Sequence, residues 1–450
     1  MTQHKSQPNI FYIFTDQQAA SMMSCTGNQW LKTPAMDSLA ERGVRFERAY
    51  CSYPLCTPSR AGMFSGRFPH EVGVNWNGLG IDPAVREQEL GNVLSRSGYD
   101  CAYGGKWHVP KIALPDDSEH GFRKICGFND FQLADACIDF FKEKHRNPFF
   151  LVASFDNPHN ICEWGFRMPL PWGEIGEPPS VEDCPPLPDN HLPSVDEPAF
   201  IAIRRHYINK HTGMVAWDTS EEWRKLRWAY ARICERVDRE IGRILDALDA
   251  SGLAENTLVI FSSDHGDQDG SHQLAHKRVL YEESTRIPFV VAGPGVQESV
   301  VDHEHLVNNS TDFFATVCDY AGAEMPVGLT GRSLKPILEG DPPELWAEYV
   351  VSEVEDEKHY KNARARMVRS ARYKYMVFER GRNREQLFDL EADPGEMKNL
   401  AANPEFAQTL QQHREYLREW CIQTNDMFGG HHYPHPDVPF MIPGDAYENR

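Results

Sequence analysis

Four short apolar runs in this chain end on residues of the types that bind cations and oxyanions. Asn9–Thr15 (NIFYIFT) leads into Asp16-Gln17, and Thr257–Ser263 (TLVIFSS) into Asp264-His265. Tyr99–Tyr103 is followed by Gly104-Gly105 and then Lys106-Trp107-His108, and Pro148–Phe155 (PFFLVASF) by Asp156-Asn157-Pro158-His159. Two carboxylates with an amide oxygen suit a hard divalent cation, and an imidazole nitrogen suits Mn²⁺ or a softer ion. Taken alone, Asp16-Gln17 serves as well as a strand-end cap. Lys106 and His108 are two apart, so an extended chain points both to one side. A cation and an imidazole facing a pocket suit an oxyanion with a proton to move. A solvated lysine and a capping histidine are the plain alternative.

Cys56-Thr57-Pro58-Ser59-Arg60 adds a nucleophile type. Pro58 fits the first turn of a helix running to Gly66. Cys56 then sits at its N-terminus, where backbone N–H groups and the helix dipole favour anions. Arg60, four residues on, reaches the same place with a planar fork for sulfate or phosphate oxygens. A buried cysteine ahead of a helix is the bland reading of so short a motif.

These groups need elements to bring them together. Thr33-Pro34 opens a helix, with Thr33 as N-cap, and Gly43 closes it. Strands are expected at Val44–Cys51 and Ile287–Ala292. In Glu221–Leu248 the apolar residues Leu226, Ala229, Ile233, Val237, Ile241, Ile244 and Leu248 recur every three or four positions, one face of a long helix. Helices alternating with apolar strands predict an α/β domain with a mostly parallel central sheet flanked by helices. Ligands of such sheets bind beyond the carboxyl ends of the strands, where all four polar endings fall. Met168–Pro198, with nine prolines and no period, is an irregular excursion. Beyond residue 345 the pattern changes to four short strands (Tyr349–Glu355, Ala365–Ala371, Tyr373–Glu379, Gln386–Leu390) and a helix from Pro404 to about Ile422. Residues 1–345 are thus expected to form a catalytic domain and 346–450 a small antiparallel sheet with a helix and an irregular tail. His432–His435 in that tail is expected to stay away from the site.

Composition excludes some classes of function. The 450 residues carry a net charge of −20, which argues against generic nucleic-acid binding and against docking on anionic lipid. No apolar run approaches the ~20 residues of a membrane span. The polar N-terminus lacks an apolar signal core, so a cytoplasmic protein is expected. The 11 cysteines show no C-x-x-C, which points to reduced, mostly buried thiols.

Cys56-Thr57-Pro58-Ser59-Arg60-Ala61, with Gly66-Arg67 after it, resembles the signature of the type I sulfatases of the alkaline-phosphatase-like superfamily. The likeness extends to Thr33–Ala40, Gly105–His108, Asp264-His265-Gly266, Lys277 with Tyr281–Ser284, Leu387–Leu390, Asp393-Pro394 and Asn399-Leu400. It implies that a separate maturation enzyme oxidises Cys56 to formylglycine, whose hydrate attacks sulfur with one hydroxyl and later expels sulfate by deprotonation of the other. It implies a metal held by Asp16, Gln17, Asp264, His265 and an oxygen of modified Cys56, usually Ca²⁺. Gln17 and His265 depart from the Asp and Asn of many relatives and look like the choline-sulfatase and phosphonate-monoester-hydrolase branch, which leaves Mg²⁺ and Mn²⁺ open. It further implies that Arg60, Lys106 and Lys277 bind sulfate oxygens, that His108 is the base that collapses the sulfated diol, and that His159 serves the leaving oxygen. His70, Asn75 and Trp76 are expected to line the substrate pocket, and Asp267, Asp269 and His272 to form a polar loop. The expected substrate is a small-molecule or glycan sulfate ester, with a sulfated sugar preferred. A phosphonate monoester or phosphodiester hydrolase, or an unmatured binding protein, is the alternative.

Overall fold

The computed structural model describes residues 7–116, 119–211, 219–355 and 364–428. Its strands are β1 (Asn9–Asp16), β2 (Gly43–Phe46), β3 (Ala49–Tyr50), β4 (Asp100–Gly105), β5 (Arg123–Lys124), β6 (Phe149–Pro158) and β7 (Thr257–Ser263). They continue with β8 (Phe289–Ala292), β9 (Val300–Asp302), β10 (Val307–Asn308), β11 (Tyr349–Glu355), β12 (Arg364–Ser370), β13 (Tyr373–Phe378) and β14 (Glu385–Asp389). The main sheet has the order β5-β4-β6-β1-β7-β8-β2-β9, and β8 alone runs against its neighbours.

Every residue of β1, β6 and β7 is buried, because helices cover both faces of the sheet. The alternation of side chains along β1 shows this directly. Ile10, Tyr12 and Phe14 pack with Ala61, Met63 and Phe64 of helix Cys56–Ser65 and with Phe313 and Val317 of helix Thr311–Ala321. Phe11 and Ile13 point the other way, onto Val237 and Ile241 of helix Ser220–Ala250 and Leu133 of helix Asp130–Lys142. The apolar stripe read from the sequence is the buried face of helix Ser220–Ala250, from Leu226 to Leu248. Among the described residues, no helix is long and apolar enough to cross a membrane.

Strands β11 to β14 form a separate antiparallel sheet. Val351, Val368, Tyr375 and Leu387 face Leu417 and Trp420 of helix Ala407–Gln423. Val350, Val354, Met367 and Met376 face the other way, onto Tyr50, Tyr53 and Tyr281, so this sheet docks against the region around Cys56.

Three local expectations are revised. Thr33 does not cap helix Pro34–Glu41; its hydroxyl accepts from Ser24 N at 2.8 Å, and Asp238 of the long helix accepts from Ala35 N (3.2 Å) and Met36 N (2.9 Å) instead. Gly43 lies in β2 rather than at a helix end: a Cβ there would stand 2.0 Å from the Val291 carbonyl oxygen across the sheet. The stretch read as one strand, Val44–Cys51, divides into β2 and β3, which belong to different sheets. Met168–Pro198 is irregular as expected, with a single short 3₁₀ turn at Val181–Asp183. His432–His435 lies outside the described residues.

Candidate active site

The four strands with polar endings are neighbours, in the order β4-β6-β1-β7, so their carboxyl ends share one edge. Asp264 N donates to the Thr15 carbonyl, and Gln17 N donates to Asp264 Oδ1 at 3.1 Å, which joins the two acidic endings. Gly266 lets the chain leave this edge: a Cβ there would stand 1.9 Å from the Glu283 carbonyl oxygen.

Cys56 is the first residue of helix Cys56–Ser65, and Asn77 Oδ1 accepts from the next backbone N–H, that of Thr57 (3.1 Å). The Cys56 sulfur lies 3.5 Å from Asp16 Oδ1, 3.3 Å from His265 Nε2 and 3.3 Å from Lys277 Nζ. One ligating atom each from Asp16, Cys56, Asp264 and His265 falls within 4.8 Å of the others. His265 Nδ1 donates to the Gly266 carbonyl at 3.0 Å, which presents the Nε2 lone pair to this group. Lys277 Nζ donates to Gln17 Oε1, and Gln17 Nε2 donates to Asp267 Oδ2 at 2.6 Å. The lysine needs an acceptor and the carboxylate a donor, so the amide has one consistent orientation, oxygen toward the cluster. Two carboxylates, an amide oxygen, an imidazole nitrogen and the Cys56 side chain therefore fit a divalent cation.

Arg60 and Lys106 meet the Oδ2 atoms of the two aspartates, while Lys277 lies on the side of Asp16 Oδ1, at 3.9 Å. Arg60 Nη2 donates to Asp16 Oδ2 (2.9 Å) and Arg60 Nε to Asp264 Oδ2 (2.8 Å), while Lys106 Nζ lies 2.8 Å from Asp16 Oδ2. Both Oδ1 atoms are left facing His265, whose Nε2 is 3.8 Å from that of Asp16 and 3.5 Å from that of Asp264. Burial opposes ionisation of Asp16, and Lys106, His159, Lys277 and Arg60 overcome it, holding its carboxyl well below the ordinary range. Burial and Asp16 likewise oppose ionisation of the Cys56 thiol, yet Lys277, Lys106 and His265 bring it well below an ordinary cysteine. Burial and the nearby Asp16 push Asp264 up.

The role expected for Arg60 changes. It is fully enclosed, with Nη1 engaged by the Lys106 carbonyl and Ser154 Oγ, and it stacks 4.8 Å from the Phe14 ring centroid. Its guanidinium is spent on these partners and on the Oδ2 atoms of Asp16 and Asp264, behind the cluster. His108 lies beside helix Cys56–Ser65, its carbonyl accepting from Thr57 Oγ1 at 2.7 Å. Its Nδ1 is buried with no hydrogen-bond partner among the described residues. His159 follows directly on β6 and bears electrostatically on both Asp16 and Asp156.

The three expected pocket residues separate. His70 is committed elsewhere: Nδ1 pairs with Glu353 (2.7 Å), Nε2 meets the Thr424 carbonyl (3.2 Å), and the ring packs on Trp420. Asn75 donates to Glu355 Oε2 at 2.8 Å. The face of Trp76 carries the Arg278 guanidinium at 4.8 Å, and Arg278 N donates to the Pro54 carbonyl.

Sequence reasoning gave no site role to Asp156, Asp267 or Asn77. Asp156 stands at the expected strand end, three residues before the histidine to which the resemblance gives a role. Asp267, expected in a polar loop, is buried and sets the Gln17 amide. Asp269 pairs with Arg227 (3.0 Å), and His272 stacks on Tyr281 (3.9 Å), both apart from the cluster. Asn77 carried no signal beyond following the signature helix.

A cysteine, two carboxylates and a histidine converge on the carboxyl edge of a mostly parallel sheet, and the fold, with that of its structural neighbours below, is alkaline-phosphatase-like. Within that class the chain belongs to the sulfatase family, whose profile matches residues 8–323. A second profile, N-sulphoglucosamine sulphohydrolase, C-terminal, matches residues 270–423. The protein is therefore a sulfatase. It is 32% identical to the Delta 4,5-hexuronate-2-O-sulfatase of Bacteroides thetaiotaomicron, over 94% of this chain and 91% of the relative. The solved structure of a 2-O GAG sulfatase superposes with a TM-score of 0.83 at 29% identity, over 94% of both chains. The phosphonate monoester hydrolase of Agrobacterium radiobacter shares the fold, with a TM-score of 0.76 at 24% identity over 93% of this chain and 96% of that one.

Proposed function

We propose that this sulfatase removes sulfate from a sulfated sugar, using formylglycine made from Cys56 by a maturation enzyme and a divalent cation, Ca²⁺ by family resemblance. The observation that carries the reading is the Cys56 sulfur, set 3.5 Å from Asp16 Oδ1 and 3.3 Å from both His265 Nε2 and Lys277 Nζ. The sugar is supported by the relatives, among them the hexuronate-2-O-sulfatase and an N-acetylglucosamine-6-O-sulfatase of the same bacterium.

Asp16, Gln17, Asp264 and His265 would hold the cation, which would supply Lewis acidity beside the matured Cys56 side chain. Lys106 and Lys277 neutralise the charge that builds on the sulfate oxygens, in a buried setting where each cation counts for more than in water. Arg60 keeps Asp16 and Asp264 in register by holding their outer oxygens. His159 donates a proton to the departing sugar oxygen, and His108 accepts the proton whose loss releases sulfate.

The test is a desulfation screen with matured protein over defined sulfated sugars, choline sulfate, an aryl sulfate and an aryl phosphonate, with the mass of the Cys56 peptide measured on the same sample. The expected result is highest kcat/KM on a sulfated sugar, a formylglycine mass at Cys56, and no turnover by Cys56→Ala in a folded protein. Faster turnover of the phosphonate, an unmodified thiol in an active sample, or activity in Cys56→Ala would overturn the reading.

A further inference from the structure

We infer that Asp156, steadied by Trp172 of the Met168–Pro198 excursion, is the residue that positions the Lys106 ammonium for sulfate. The inference rests on the proposed role of Lys106 and goes beyond it in assigning what holds that lysine in place.

Lys106 follows β4, and Asp156 lies near the end of β6, which pairs with β4 in register Gly105 to Ser154. Lys106 Nζ sits between two carboxylates, 2.8 Å from Asp16 Oδ2 and 2.9 Å from Asp156 Oδ1, at 2% exposure. An ammonium has three N–H donors. Two are accounted for by this pair, and the third remains for an oxygen of the substrate. Asp16 alone would draw the ammonium onto a metal ligand. Asp156, on the other strand, holds it between the two. A lysine stem is flexible, so a second anchor narrows where its charge can be.

Asp156 is itself fixed on several sides. Its own N–H and that of Asn157 donate to Asp130 at 2.7 and 2.9 Å. Its Oδ2 accepts from Asn160 Nδ2 (2.8 Å) and from the indole Nε1 of Trp172 (3.2 Å). The next residue of the excursion is tied to the same corner. Arg236 Nη1 donates to the Gly173 carbonyl, while Nη2 donates to Asn157 Oδ1 (2.7 Å) and Asn160 Oδ1 (3.1 Å). The proline-rich excursion thus reaches the reaction centre through Trp172, Asp156 and Lys106 in turn. Asp156 is a positioning residue: among the described residues its carboxylate is hydrogen-bonded to Lys106, Asn160 and Trp172.

The experiment uses matured, metal-loaded enzyme and compares Asp156→Asn and Trp172→Phe, each alone and combined with Lys106→Met. Inorganic sulfate serves as the probe of the sulfate site. Asp156→Asn is expected to lower kcat about 10- to 100-fold, the scale of a misplaced reacting group, and to raise the Ki of sulfate about tenfold. Trp172→Phe, which loses only the indole N–H, should shift both about threefold in the same direction. In the Lys106→Met background neither change should add a further loss, and metal content should match wild type throughout. Equal losses with and without Lys106, or an unchanged sulfate Ki in both variants, would overturn the inference. Should Asp156→Asn fail to fold, Trp172→Phe in the two backgrounds decides it by the same criterion. A wild-type enzyme that cleaves no sulfate ester would instead refute the proposed function.

Discussion

Two buried clusters in this molecule are built from the same kinds of residue and end as different things. At the sheet edge, Arg60 lies between Asp16 and Asp264 with His265 nearby; under the C-terminal sheet, Arg366 lies among Glu353, Glu355 and Asp426 with His70 nearby. Both groups put histidine and carboxylate atoms within metal-binding distance of one another. Arg60 takes only the Oδ2 atom of each aspartate. Arg366 takes both oxygens of Asp426, at 2.6 and 3.1 Å, and one of Glu355. The remaining oxygens there are claimed as well, Glu353 by His70 N and Nδ1, and Glu355 Oε2 by Asn75. In the second cluster the guanidinium occupies the role of the cation. In the first it stands behind the carboxylates and leaves an acceptor edge. The choice of oxygen, and not residue type, separates a cluster open to a cation from a closed ion network.

The strongest way to break this comparison is Asp264→Asn. It should weaken metal affinity by more than the ~10- to 100-fold typical of a supporting residue, measured as bound metal per chain, with activity lost in proportion. Unchanged metal content would remove Asp264 from the ligand set. Next, Arg60→Lys and Arg366→Lys should fail differently, since a lysine cannot reproduce a two-pronged guanidinium contact. Arg60→Lys should cost about 10- to 100-fold in metal affinity. Arg366→Lys should lower Tm by several degrees and keep full metal stoichiometry, because it loosens a buried ion network. Matching outcomes for the two would erase the distinction.

The smallest expected effect is a pH dependence. Burial works against a charged His70, but Glu353 more than offsets it and raises the imidazole from 6.5 to about 9. A raised basic group binds its proton more tightly in the folded state, so its stabilisation is full below pH 6.5 and fades as pH rises through about 9. The Tm deficit of His70→Asn should therefore be largest below pH 6.5 and shrink toward pH 9. A deficit constant across that range would mean the Glu353 pairing carries no stabilising charge.

The strand-end rule brought Asp16, Asp264, Lys106 and Asp156 to one edge because buried parallel strands read as plain apolar runs and their polar terminators are conspicuous. The signature around Cys56 was legible because nucleophile, helix start and arginine lie within one turn. His70 was misplaced for the opposite reason. Its position just after that helix pointed to the pocket, but its partner Glu353 lies 283 residues away on another sheet. Thr33 failed as a cap for a similar reason, since Asp238 reaches its helix from across the sequence.

Local order in the chain determined which residues could do chemistry here: an oxidisable cysteine opening a helix, acidic pairs after apolar strands, and lysines close by. Only the folded chain decided which way each charge faces. Arg60 turns to the outer oxygens, Gln17 is turned by Asp267, and Lys106 is shared between Asp16 and Asp156. Hydrogen bonds between side chains distant in sequence depend on angstrom-scale placement in three dimensions, and residue type and spacing carry no record of it.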